Sequence, residues 1–531
     1  MSMTQVIGGI TAVIAGFIAW ICSGPNSVPA SKTTTSSHLT SWATLVLLGS
    51  LSWNLFLMYD AHRRPNPPSP LRTVGLIFHS VPAAFLLATT SIAQSAEDPA
   101  LVVFVALLAF RHWRTIVNIF FWFRYQPALA TKNPKIMAED CTVIVPTVGP
   151  EGNTVYTEMV TAILYNNPAH LIFSTNTHTA KNDVERALEH IRAEIKTGST
   201  TYQQQHGLES FKYRTKVEIL NADVSDKRTQ VVHATKSVET KIMVMVDDTA
   251  IWDPRFLAAT LPAFTSEKVG LVGTFKWVKR IVPPHNPSVS FLSDMWTRYK
   301  LGLWNTIGGL YLIRHNFEIR ATNAADGGVF CVSGRTSLIR ASIVKDQEFA
   351  RQFTNEYHLG FGPVKADDHN FITRWVLNHN YDIKIQCTKE ATITTVLGQE
   401  PLKFPDQCKR WSRTTFRQNP VALFFDRTIW WEWPLMVWTT YLPWLYNAAL
   451  LWDGLLVYTL TRTHKYANYM HHTAMLRGLI FLHLDDEAGQ DDSMVLGVSH
   501  GFPLVPRVCV LALCTQSLDS VYLLGRGMEW P

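Results

Sequence analysis

Apolar positions along this chain fall into two kinds of pattern: long uncharged runs gathered near both ends, and short strand-like runs separated by helix-like ones in the middle. Residues 6–22, 42–59, 74–93 and 100–110 contain no Lys, Arg, Asp or Glu. The first three approach the roughly 20 residues that cross a bilayer core. The fourth does so only if its helix continues past Arg111 and Arg114. No basic segment precedes the first run and further apolar spans follow it, so it reads as an uncleaved membrane helix rather than a signal peptide.

Between about 135 and 400 the period changes. CTVIVPTV (141–148), AHLIFSTN (169–176), KVEILNA (216–222) and KIMVMVDDTA (241–250) are continuous apolar runs of strand length. TVYTEMVTAILYNN (154–167) and DKRTQVVHATKSV (226–238) carry apolar residues at helical spacing. Short buried strands alternating with helices predict an α/β layer domain with a mostly parallel sheet. In such sheets ligands bind beyond the carboxyl ends of the strands, where Pro146, Thr147, Asp247 and Asp248 fall.

Length and charge refine this outline. A chain of 531 residues is too long for one ordinary domain. Arg63, Arg64 and Arg72 stand in the loop 60–73, whereas the loop 94–99 carries only acid. The retention of basic loops on the cytosolic side places the N-terminus inside, 23–41 outside, 60–73 inside, 94–99 outside and everything after about 111 inside. No Asn-x-Ser/Thr acceptor with x other than Pro occurs, and the seven Cys are scattered without pairs, both in keeping with a reducing cytosolic compartment. The net charge of +6 is modest for this length. Juxtamembrane basic residues beside anionic lipid account for it, and no nucleic-acid partner is implied.

The candidate chemistry lies in acids and in one signature. Two adjacent carboxylates at the end of a buried strand, Asp247 and Asp248, repel each other and are costly to desolvate unless a cation answers them. Mg²⁺ or Mn²⁺ suits such oxygen ligands; a strand-to-loop turn with acids at a helix cap is the plainer reading. Asp367 and Asp368 open a helix-spaced segment, where the helix dipole favours acids and where Asp368 could equally take a proton from an incoming hydroxyl. Between the pairs, GGVFCVSGRTSLIR (327–340) has glycines that permit close backbone approach to a ligand. Downstream, DQCKRWSRTTFRQN (406–419) sets Gln407, Arg410 and Trp411 at fixed spacing just ahead of a long apolar run. Arg413 and Arg417 read as an interfacial anchor.

The order VIVPTV, VDDTA, GGVFCVSGR, ADDHNFITRW and QCKRW, flanked by apolar spans, resembles the family 2 processive glycosyltransferases. Hyaluronan, chitin and cellulose synthases belong there, and the nearest likeness is to fungal membrane type 2 glycosyltransferases. The resemblance covers roughly 100–460 and is most specific at the QxxRW match of Gln407, Arg410 and Trp411. It implies a GT-A domain embedded between α-helical transmembrane segments, a nucleotide-sugar donor, UDP-linked in the usual case, a polysaccharide acceptor and Mg²⁺ or Mn²⁺ as cofactor. By the same resemblance Pro146 and Thr147 lie beside the nucleotide, and Lys227, Arg228 and Arg410 near the diphosphate. Asp247 and Asp248 hold the metal. Asp368, preceded by Asp367, is the catalytic pair, while Gln407, Trp411 and Gly334 form the acceptor side. The residues Ser174, Thr175 and Asn176 end a strand where many relatives carry acids. A plasma-membrane enzyme with a cytosolic catalytic domain, serving the cell wall and hyphal growth, is the role so implied.

The expected organisation is N-terminal transmembrane helices over 1–124, the GT-A domain over 125–425, further transmembrane helices over 426–462 and a C-terminal region over 463–531. The run 429–460 contains Glu432, Asp453, Pro434 and Pro443 and reads as a tight pair of spans. The basic segment 461–477, with His464, His471 and His472, reads as a loop, as does the acidic stretch 483–492. Residues 503–524 form one more span or an interfacial helix. A non-processive transferase acting on a lipid acceptor, or an inactive membrane scaffold, stands as the alternative function.

Overall fold

The computed structural model describes residues 32–130, 134–281, 288–358, 360–397, 403–443 and 449–464. The expected span 6–22, the segments 483–492 and 503–524, and His471 and His472 lie outside the described residues. The chain divides into two compact units, residues 1–117 with 445–531, and residues 118–444.

The first unit is helical. Helices α1 (Lys32–His62), α2 (the helical segment Pro70–Ser95) and α3 (Pro99–Arg124) follow one another. Ser41–His62, Pro70–Ser95 and Pro99–Arg124 are long and apolar enough to cross a membrane. The last of these continues through Arg111 and Arg114, as the fourth apolar run required. Ala93, Val103, Phe104 and Leu107 pack with Leu455, Leu456 and Leu460 of a later helix, Ala449–Thr461. Arg111 Nε lies 3.8 Å from Asp453 Oδ1, so this acid of the apolar run has a cationic neighbour.

Among the described residues the second unit has nine strands: β1 (Cys141–Thr147), β2 (His170–Thr175), β3 (Lys216–Asn221), β4 (Ile242–Val246), β5 (Ala250–Trp252), β6 (Val269–Val278), β7 (Thr336–Arg340), β8 (Asp382–Gln386) and β9 (Thr392–Thr395). The order is β3-β2-β1-β4-β7-β6-β9-β5, with β8 also paired to β6. Strands β3, β2, β1 and β4 run parallel, while β7 enters antiparallel between β4 and β6. This is the mixed, mostly parallel α/β sheet expected from the sequence. Every residue of β1 and β4 is buried, which is why both read as unbroken apolar runs.

Helices cover the sheet: α4 (Tyr156–Tyr165), α5 (His178–Thr197), α6 (Lys227–Thr235), α7 (Phe291–Asp326), α8 (Gln347–Thr354), α9 (Asp368–Asn378) and α10 (Lys403–Pro420). Sequence reasoning did not assign α5, although its signals are present. Thr177 caps it by accepting from the amide of Ala180, Gly198 ends it at φ +73°, and Ala180, Val184, Leu188, Ile191 and Ile195 form its buried stripe.

Helix α7, which the sequence reading did not assign, is fastened by three asparagines to backbone carbonyls of β6, β8 and the segment after β9. Asn316 Nδ2 donates to Lys276 O (2.8 Å), Asn323 Nδ2 to Ile383 O (3.0 Å) and Asn305 Nδ2 to Leu397 O (2.9 Å). Residues 429–443 differ from the expected pair of spans. They form the short pieces Ile429–Glu432, Pro434–Met436 and Val437–Tyr441, with Trp430, Trp431, Trp433 and Met436 buried in this unit. Pro434 interrupts the helical run, since its ring removes a donor and crowds the preceding turn.

Tyr125 ties the segment that follows α3 to the sheet. Its hydroxyl donates to Ile385 O at 2.7 Å and accepts from Cys387 N at 3.0 Å. Tyr125→Phe strands both backbone groups, and its expected cost is about 1–3 kcal/mol, read as a lower Tm of the purified protein. An unchanged Tm would show that the anchor is dispensable.

Candidate active site

Four chain segments end at one place on the carboxyl edge of the parallel strands. Strand β1 delivers Pro146 and Thr147, and β4 delivers Asp247 and Asp248. The loop before β7 brings Gly334 and Arg335, and α9 begins at Asp368. Thr147 Oγ1 donates to Asp248 Oδ2 at 2.9 Å, and Asn153 Nδ2 donates to Asp248 O at 2.7 Å. The amide of Asp247 donates to Arg335 O at 2.9 Å.

Lys227, the first residue of α6, joins the two acid pairs. Its ammonium lies 2.7 Å from Asp247 Oδ1 and 2.9 Å from Asp368 Oδ2. Burial works against the charge on Lys227, but Asp247 and Asp368 outweigh it and raise its affinity for the proton. Burial alone would push the Asp368 carboxyl up; Lys227 and His369 together hold it well below the usual carboxylate range. Asp368 is therefore ionised at neutral pH and able to accept a proton. Its neighbour His369, with Nδ1 3.1 Å from Asp368 Oδ2, is buried, and its Nε2 lies 3.3 Å from Ser337 Oγ.

Gly334 is required by this packing. A Cβ there would stand 2.9 Å from His369 Nδ1, closer than real Cβ atoms come, so the loop before β7 passes the start of α9 this closely only as glycine.

The acid pair Asp247 and Asp248 fits a Mg²⁺ or Mn²⁺ ion. Burial, reinforced by Asp247, pushes the Asp248 carboxyl up against the opposing bond from Thr147, so a second positive charge would be welcome there. Among the described residues no group of three or more His, Cys, Asp or Glu is placed to hold a metal. A pair of carboxylates is nonetheless what Mg²⁺ commonly uses when waters and substrate phosphates complete its shell.

The pairs Lys227–Arg228 and Asp367–Asp368 each split. Arg228 is buried, donating to Phe353 O (2.9 Å), Glu356 Oε2 (2.8 Å) and Ala366 O (2.5 Å), with Phe353 and Phe371 against its guanidinium. The expected contact of Arg228 with a diphosphate gives way to this internal role. Adjacent residues on a helix point about 100° apart, so only Lys227 faces the site. Asp367 turns from Asp368 and takes Arg417 Nη2 at 2.7 Å and the hydroxyl of Thr414. Its carboxylate is therefore committed to α10, and Arg417, expected as a lipid-interface anchor, is an ion-pair partner inside the domain. Arg413 is exposed.

The QxxRW residues lie on α10. Trp411 stacks on Tyr311 at 5.2 Å and 21°, and the guanidinium of Arg335 lies 5.8 Å from its ring centre. Gln407 is half-buried and Arg410 exposed. Arg335 Nε donates to Thr395 Oγ1 at 3.2 Å, and burial depresses its pKa despite Asp247. One turn beyond Tyr311, His315 Nδ1 lies 2.9 Å from Lys276 Nζ, whose burial pushes it down to about 7.

Tyr311, Lys276 and Thr414 were missed in the sequence, and Arg335 was read only as part of the loop around Gly334. One signal was there: Gln407, Trp411, Thr414 and Arg417 recur every three or four residues, a single helical face. At the end of β2, Ser174, Thr175 and Asn176 hydrogen-bond within the domain. Ser174 Oγ donates to Gln230 O, Thr175 Oγ1 to Leu220 O and Asn176 Nδ2 to Ser225 Oγ.

Comparison with known proteins agrees in extent with this domain. The sequence profile of "Glycosyltransferase like family 2" matches residues 139–414. A "Type 2 glycosyltransferase" of Zymoseptoria tritici is 32% identical over 67% of this chain and 67% of its own length. One of Gibberella zeae is 29% identical over 79% of this chain and 75% of its own. An "NDP-glycosyltransferase" of Aspergillus luteorubrus is 27% identical over 62% of this chain and 78% of its own. Among solved structures, a mannosyltransferase from Pyrobaculum calidifontis in complex with GDP-Man and Mn²⁺ aligns with a TM-score of 0.40 and 13% identity, over 70% of this chain and 90% of that one.

The opposite placements of Lys227 and Arg228 give a separable expectation. Arg228→Met removes one partner of a buried ion pair and should destabilise by roughly 3–5 kcal/mol, seen as a lower Tm. Lys227→Met should abolish sugar transfer and, because it leaves Asp247 and Asp368 without their shared counter-charge, also lower Tm, but by less than Arg228→Met since this position is half-buried. Equal losses of stability in the two would contradict the assignment.

Proposed function

The chain belongs to glycosyltransferase-like family 2, with the GT-A fold, and from that premise we propose that it moves a sugar from a UDP-linked donor onto a growing polysaccharide, with inversion at the anomeric carbon. The observation that carries this reading is the single ammonium of Lys227 shared by Asp247 and Asp368. It sets a diphosphate site and a proton acceptor within the reach of one bond-forming step.

In that step the acceptor hydroxyl oxygen attacks the anomeric carbon and passes its proton to Asp368. The bond from that carbon to the diphosphate oxygen breaks, and its electron pair leaves with UDP. Asp368 is kept ionised by Lys227 and His369, the form that can take the proton, and it becomes a stronger base as the Lys227 ammonium turns to the diphosphate. Lys227 and Arg410 would meet the diphosphate, and Mg²⁺ or Mn²⁺ held by Asp247 and Asp248 would supply further charge neutralisation when bound. Pro146 and Thr147 border the nucleotide. The Trp411–Tyr311 stack offers a sugar an apolar platform, with Gln407 and the Gly334 loop beside it. Arg228 and Asp367 support these groups rather than touch substrate.

A nucleoside diphosphate donor accords with the description of the Aspergillus luteorubrus relative as an NDP-glycosyltransferase. Among the described residues three helices long and apolar enough to span a bilayer support work at a membrane, with the catalytic domain (125–425) cytosolic and the polymer passed outward across the plasma membrane. Cell-wall synthesis during hyphal growth is the role this gives, close to that of hyaluronan, chitin and cellulose synthases.

The test uses the purified chain in nanodiscs with Mn²⁺ and a panel of radiolabelled nucleotide sugars. One donor should give long product, lowered at least about 100-fold in Asp368→Asn, as loss of a general base requires. Short lipid-linked product would favour a non-processive transferase. Failure of the wild type to turn over any donor would favour an inactive scaffold.

A further inference from the structure

Asp367 is separated from the base by one peptide bond, yet its carboxylate serves a different helix. Its backbone is left-handed, with φ +64°, a conformation uncommon for a residue with a side chain. That turn sends Asp368 toward Lys227 and His369 and sends Asp367 toward α10. The Asp367 side chain is 1% exposed, and its partners there, Arg417 and Thr414, both belong to α10. Thr414 follows Trp411 by three residues, so the contact falls one turn from the aromatic platform.

A second set of pairs fixes the same two helices. Arg374 on α9 meets Asp426 at 2.8 Å and Glu356 at 3.1 Å and also bonds the side chain of Gln418 on α10. Glu356 in turn holds Arg228, whose guanidinium donates to Ala366 O immediately before Asp367. Three arginines (228, 374 and 417) are thus matched by three carboxylates (356, 426 and 367), so the network is neutral without any ligand.

We propose that Asp367 is a positioning residue that seats the Gln407–Trp411 helix against the base through Arg417 and Thr414, so that acceptor platform and proton acceptor keep one register. The proposal rests on the transferase reading above. Its chemical consequence is the choice of nucleophile. With α10 in register, the hydroxyl of a sugar on Trp411 lies beside Asp368; with α10 loosened, the base remains but water competes for the anomeric carbon.

The experiment measures transfer and donor hydrolysis for the donor that the wild type uses, together with Mn²⁺-dependent UDP affinity and hydrogen exchange over residues 403–420. Asp367→Asn and Arg417→Gln should each lower transfer by up to about 100-fold, the scale of a misplaced reactant. Hydrolysis per transfer should rise and UDP affinity stay as in wild type. The double variant should lose no more than either single one, as for groups acting through one contact, and Arg417→Lys should restore most transfer. Exchange over 403–420 should quicken in Asp367→Asn, a readout that needs no turnover. Loss of transfer and hydrolysis together, as in Asp368→Asn, would make Asp367 catalytic and overturn the proposal. Additive losses, unchanged transfer or unchanged exchange would overturn it too. A wild type without turnover but with faster exchange in the variant would fault the transferase reading and leave the seating intact.

Discussion

One ammonium group, Lys227 Nζ, stands between Asp247 and Asp368, and the arrangement of the domain around it follows from keeping those charges together. A half-buried carboxylate without a counter-charge costs several kcal/mol, whereas a well-made ion pair roughly breaks even. The arrangement therefore adds little to stability and a great deal to definition. It fixes the start of α6, the end of β4 and the start of α9 relative to one another. In the proposed reaction a nucleoside diphosphate and its cation would compete for the same charges, because the two proposed functions share one ion.

The surrounding structure holds this ion from behind. Arg228 and Glu356 lock the turn of chain before Asp367, so the residue beside Lys227 governs where Lys227 points. On the opposite flank, α7 places Tyr311 under Trp411, and its asparagines bind it to the strand edges that carry Lys276 and Ile383. Polar side chains do most of this fastening. They have directional partners, and so they set register in a way that apolar contact alone does not.

The sequence made the sheet and the acids legible for a physical reason. Strands β1 and β4 are buried on both faces, so their apolar runs were continuous and their ends sharp, and Asp247 and Asp248 stood out against them. The QxxRW spacing was likewise local to one helix. What could not be read were pairings across long separations, such as Arg228 with Glu356 or Asp367 with Arg417. Adjacent like residues also hid a division of labour, because the direction of each side chain is set by tertiary packing. Within the apolar run 429–460, the short pieces over 429–443 could not be foreseen for a related reason: burial of Trp430, Trp431 and Trp433 in a protein core looks the same in composition as burial in lipid.

In the proposed mechanism Asp247 and Asp248 form a diphosphate and metal pair, and Asp368 is the proton acceptor. Calorimetric titration of UDP in the presence of Mn²⁺ against wild type, Asp247→Asn, Asp248→Asn and Asp368→Asn tests that division most directly. Metal-dependent UDP binding should be lost or sharply weakened in Asp247→Asn and Asp248→Asn, and kept in Asp368→Asn. Undiminished binding in the first two, or its loss only in the third, would contradict the assignment.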